Sequence, residues 1–84
     1  MNEAMKIKII THYTMLNDRA LSLLSDSRTI LSVKQIELLG RILSECELII
    51  NVFEVHARLA IILLSRVDEA CIKLAQAGIS LKAH

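Results

Sequence analysis

The chain has no proline and no tryptophan, only two glycines, Gly40 and Gly78, and among Phe, Trp and Tyr only Tyr13 and Phe53. So few turn-forming residues leave little means of building the many tight turns of a sandwich or barrel. The scarcity of aromatics leaves Leu, Ile, Val and Ala to form the core, and Leu and Ala favour helix. Neither sign of charge dominates: 10 Lys and Arg face 9 Asp and Glu. The basic residues, from Lys6 to Lys82, are interleaved with acids. Without a basic stripe no nucleic-acid partner is expected. There is no glycine-rich phosphate loop and no nucleophile elbow. The most apolar stretch, 48–64, is interrupted by Asn51, Glu54, His56 and Arg58, so no membrane span is expected. The start of the chain is charged and lacks a clean apolar segment with a cleavage site, so no secretory signal is expected either.

What the chain does have is aliphatic periodicity. Ile36, Leu39, Leu43, Cys46, Ile50, Phe53, Ala57, Ala60, Leu64, Val67, Cys71 and Leu74 form a seam at three- and four-residue spacing. That spacing puts all of them on one helix face, which gains stability only against a packing partner. Both cysteines fall on the seam. They read as buried free thiols in a reducing compartment, and the protein as cytoplasmic. On one continuous helix they would stand too far apart for a disulfide.

A first helix is expected over about 3–24, where Met5, Ile9, Tyr13, Leu16, Ala20 and Leu23 make a stripe. Met5, Lys6, Ile7, Lys8 and Ile9 alternate with period two, as in a half-buried strand, but the chain has no second strand to pair with them. The segment 25–29 is the clearest break, because Ser and Asp side chains compete for helical hydrogen bonds. Ser32 then reads as an N-cap, with Gln35 completing a capping box and Ile30 or Leu31 placed to staple Ile36. A second helical region is expected over about 33–77, closed by Gly78. Its length far exceeds an ordinary helix of roughly 11–12 residues. The best break falls at 64–67, where Ser65 would cap and Asp68 and Glu69 would suit a new first turn. The chain therefore reads as a single all-α domain over 1–84, either an antiparallel helical hairpin or a three-helix arrangement broken near Ser65.

The polar face of the second region is thin: Ser44, Glu47, Asn51, Glu54, Arg58 and Ser65. The mild acidity of this part, with Glu37, Glu45, Glu47 and Glu54 against Arg41 and Arg58, reads as a solvated face. Beside the seam, Leu48, Val52, Val55, Leu59, Ile62 and Leu63 are also apolar, more than one short helix can cover. These six, with Phe53 as an anchor, are the expected partner or oligomer interface. His12, His56 and His84 are scattered, and no Cys or His pair has zinc-ligand spacing, so no metal site, cofactor or catalytic residue is expected.

The stretch 53–77 resembles a tetratricopeptide-type helical pair. Small residues stand at Ala57 and Ala60, a short turn is placed at 65–67, and Ala70, Leu74 and Ala77 recur on the second helix. The signature tryptophan, tyrosine and closing proline are absent. Leu38 and Leu39, followed by Glu47, Leu48, Ile49, Ile50 and Asn51, resemble the second helix of the small helical co-chaperones of bacterial type III secretion needle subunits. That system pairs a helical-hairpin protein with a small tetratricopeptide-like protein, and together they keep the needle subunit soluble. This chain departs from the hairpin member by its longer segment after Leu64, and from the repeat member by its short N-terminal half. The resemblance implies a non-enzymatic chaperone or adaptor. The periodicity leaves a second possibility, a self-assembling helical bundle such as a homodimer.

Overall fold

The computed structural model describes residues 3–53 and 55–81; Glu54 of the polar stripe and His84 lie outside the described residues. Three helices follow one another: α1 (Glu3–Ser25), α2 (Val33–Val52) and α3 (Ala57–Gln76). The architecture is all-α, with no strand among the described residues, and the period-two run from Met5 to Ile9 lies inside α1. Antiparallel strands need a partner ladder, and none is available here.

The connection after α1 is organised by Asp26. Its carboxylate accepts the backbone N–H of Arg28 at 2.9 Å and the hydroxyl of Thr29 at 2.9 Å. Those bonds hold its pKa below the usual carboxylate range. Helix α2 starts at the expected cap: Ser32 Oγ accepts the N–H of Gln35 at 3.1 Å, and Gln35 Oε1 accepts the N–H of Ser32 at 2.8 Å. Two backbone donors that the first helical turn would leave unpaired are satisfied in this way. Ser32→Ala should therefore cost about 1 kcal/mol, read as a shift in the urea midpoint at constant slope. An unchanged midpoint would show that solvent satisfies these donors equally well. Ile30 is exposed and makes no staple, whereas Leu31 packs against the core.

The long second region breaks at 53–56, not at 64–67. Phe53 closes α2 by donating its N–H to Ile49 and turns its ring into the core. His56 caps α3, its Nδ1 accepting the N–H of Leu59 at 3.3 Å. The β-branched Val52 and Val55 weaken helix locally, and burial of Phe53 rewards the corner. Ser65 lies exposed within α3, where a serine facing water is tolerated. Helix α3 ends in a Schellman motif. Gly78 adopts a φ of 102°, Gly78 N–H reaches Ala75 O at 3.0 Å, and Ile79 N–H reaches Leu74 O at 3.0 Å. A left-handed residue is required there, and glycine takes it without a Cβ penalty.

The helices run up, down and up. Both α1 and α3 pack along α2, and their own backbones stay apart. Side chains bridge them: Tyr13 Oη donates to Asp68 Oδ1 at 3.0 Å, and Arg19 donates to the carbonyl of Leu81. Gln35 Nε2 donates to the carbonyl of Ala77 at 2.8 Å, tying the start of α2 to the end of α3. The core is aliphatic around Tyr13 and Phe53. Leu39, Ile42, Cys46 and Ile49 of α2 meet Leu16 and Ala20 of α1 and Ala60, Val67, Ala70 and Leu74 of α3. Most of the seam thus faces inward on both sides of the corner, while Ile36 and Ala57 stay exposed.

Candidate interaction surface

The side of the α2–α3 pair that Arg66 and Glu45 join carries one continuous surface. Arg66 Nη2 lies 2.9 Å from Glu45 Oε1, which fixes the register of the two helices. From that point, three- and four-residue steps lead along α2 through Glu45 to Leu48 and Val52. Along α3 they lead from Arg66 back to Ile62 and Leu59, and the exposed Val55 stands in the corner just before that helix. Towards the 53–56 corner the surface is therefore apolar. In the other direction it is charged: Arg41 stands 3.8 Å from Glu45, and Lys73 stands 3.1 Å from Glu69. Arg41 and Lys73 then line a cleft of about 680 Å³ with Lys34, Glu37, Leu38 and Gln76. The Lys73 ammonium holds the Glu69 carboxyl below its usual pKa range.

Five of the seven interface residues expected from the sequence lie on this surface. Leu48 is 49% exposed, Val55 85%, Leu59 42% and Ile62 59%, with Val52 half-buried between them. Phe53 and Leu63 are not on it. They are 5% and 6% exposed and belong to the core of the chain itself. Placing the corner at 53–56 turns Phe53 inward, and Leu63 follows Ala60 and Val67 on the buried stripe of α3.

Glu45, expected on a solvated face, is 6% exposed, and its Oε2 has no hydrogen-bond partner among the described residues. Its neighbour Cys46 is on the seam, so Glu45 borders the buried stripe; that adjacency was the available signal. The Tyr13–Asp68 bridge had no sequence signal, because it spans helices whose relative placement depends on the corner.

A second groove runs between α1 and α3. Met5, Ile9, His12, Tyr13 and Leu64 line one part of it, and Leu16, Asp68, Cys71 and Ile72 continue it. Burial, reinforced by the Asp68 carboxylate, holds the Tyr13 phenol far above its usual pKa. No group of three or more His, Cys, Asp or Glu among the described residues is placed to hold a metal ion. No helix among them is long and apolar enough to cross a membrane.

Neither cysteine is in a disulfide; Cys46 is buried and Cys71 half-buried. Burial pushes the Cys46 thiol from 9.0 to about 12. Below about pH 9 the thiol is protonated in both folded and unfolded chains. Above that the unfolded chain ionises first, so the folded state loses stability as pH rises from 9 towards 12. Denaturant unfolding at rising pH should show this decline, and Cys46→Ala should lessen it, leaving the part that the raised Tyr13 phenol contributes above pH 10. In the folded protein a thiol reagent should modify Cys71 first and reach Cys46 only on unfolding; equal rates would contradict the burial of Cys46.

Compared with protein-family models, curated proteins and solved structures, the chain matches none of them.

Proposed function

We propose that this protein is a non-enzymatic helical chaperone or adaptor that shields an aliphatic helix of a client against its α2–α3 surface. The observation that carries the reading is the grouping of Leu48, Val52, Val55, Leu59 and Ile62 beside the ion pair of the buried Glu45 with the half-exposed Arg66. Apolar side chains grouped on one face, with charges along one side, are the pattern of helix-in-groove recognition, in which spaced apolar anchors enter a groove. The client class is an amphipathic helix with an aliphatic stripe. The resemblance to the needle co-chaperones makes the type III secretion needle subunit the specific client, with binding in the cytoplasm.

Co-expression with a needle subunit tests the specific client. The subunit should become soluble and co-purify with the chain, and Leu48→Asp should abolish both effects. A subunit that stays insoluble beside abundant wild-type chain would refute that client. Titration with a synthetic Leu- and Ala-rich amphipathic helix tests the broader reading. A wild-type chain that binds neither this peptide nor a hydrophobic dye has no open docking face.

A further inference from the structure

We propose that, without a client, the α2–α3 face closes on a second copy of this chain, so that self-association and client binding compete for one surface. The inference rests on the reading of this face as a protein-docking surface and names its resting occupant.

Area is the first argument. The exposed parts of Leu48, Val55, Leu59 and Ile62 make a patch on the order of 400 Å², the size at which surface patches are often functional. Arg66 and Lys73, about half exposed, bring the face to roughly 600 Å² per copy, so two copies reach the ~1,200 Å² at which specific interfaces begin. The whole chain exposes 5637 Å². An interface of standard size, about 800 Å² per partner, would cover about a seventh of it.

Charge is the second argument. The charged half of the face alternates Arg41, Glu45, Arg66, Glu69 and Lys73. A face of mixed sign does not repel its own copy, and the chain as a whole carries only +1. A twofold axis lying along the face would set α2 of one copy over α3 of the other. Apolar half then meets apolar half, and an isologous four-helix seam forms.

Sedimentation from micromolar to near-millimolar concentration tests the proposal. Wild type should show a reversible monomer–dimer equilibrium. Leu59→Asp should weaken the dimer by on the order of a hundredfold, because it sets two carboxylates in the apolar centre of the seam. Ile62→Glu should act in the same direction. Ile72→Asp, on the α1–α3 side of the same helix and 55% exposed, should leave dimerisation unchanged. Helicity by circular dichroism should be the same in all three variants, since each position is already open to water. A wild-type monomer at every concentration overturns the proposal. If that monomer still binds the synthetic amphipathic helix, the docking reading stands; if it binds neither peptide nor dye, both fall. A dimer broken by Ile72→Asp and untouched by Leu59→Asp also overturns the proposal, because its seam would be the other groove.

Discussion

Leu39→Ala should remove about 3 kcal/mol of stability and lower the melting temperature by roughly 15 °C. Leu39 is fully buried in the first half of α2, the helix on which both α1 and α3 pack. Truncation removes the transfer energy of the buried methyl groups and leaves a cavity in an aliphatic core. Ala20 and Ala70, whose side chains are single methyl groups, belong to the same core. Alanines have no rotamer freedom with which to fill the gap, so relaxation should be small. The effect is large against the total. An 84-residue chain buries a modest share of its surface, and stabilities at this size are of order 5–10 kcal/mol. Thermal and urea unfolding should be compared at one protein concentration, because self-association would make both depend on it. A loss below about 1 kcal/mol would mean that α2 is not the shared centre of the core. Val33→Ala at the exposed start of the same helix should change stability by no more than about 0.5 kcal/mol.

The signals that act over a few residues were legible in the sequence. The first helix ends one residue past the expected boundary at 24. The Ser32 and Gln35 side chains form the box that their spacing implies, and Gly78 takes the left-handed position that a helix end needs. The twelve-residue seam was also informative, since most of it faces the core. The position of the second break was not legible. Ser65, Asp68 and Glu69 have the composition of a helix start, yet residues 53–56 form the corner. The deciding terms there are burial of Phe53 and capping by His56, and histidine stands outside the usual N-cap set. Everything that depends on the corner then shifts with it. Phe53 and Leu63 turn inward, and of the seven expected interface residues Leu48, Val52, Val55, Leu59 and Ile62 are left near the corner rather than as a stripe along a rod. Periodicity gives the angle of a residue around its own helix, but which neighbour covers that angle depends on where the chain reverses.

Arg66→Ala should destabilise the protein by about 2–3 kcal/mol, whereas Glu45→Leu should leave it unchanged or stabilise it by about 1 kcal/mol. The two substitutions break the same ion pair, and their opposite signs follow from what each leaves behind. The Glu45 side chain is 8% exposed, and Arg66 is 54% exposed. Removing Arg66 strands a carboxylate that has already lost most of its water. Arg41 remains only at 3.8 Å, too far for a strong hydrogen bond, and Oε2 has no donor among the described residues. Removing Glu45 instead leaves a half-exposed guanidinium that water can solvate. A leucine of similar volume joins Leu48, Val52 and Ile62 and ends the desolvation cost of the carboxylate. The arginine value is set below the 3–5 kcal/mol typical of broken buried pairs because one partner faces solvent. Urea unfolding of both single variants and the double variant checks the argument. In the double variant the loss seen with Arg66→Ala should largely disappear, since no buried charge remains to be stranded. If Glu45→Leu costs 2 kcal/mol or more, the pair is net stabilising and its worth lies in fixing the register of α2 on α3. Under that outcome the apolar and charged halves of the face are aligned by this one ion pair, and Glu45→Leu should loosen dimer formation as well as the fold.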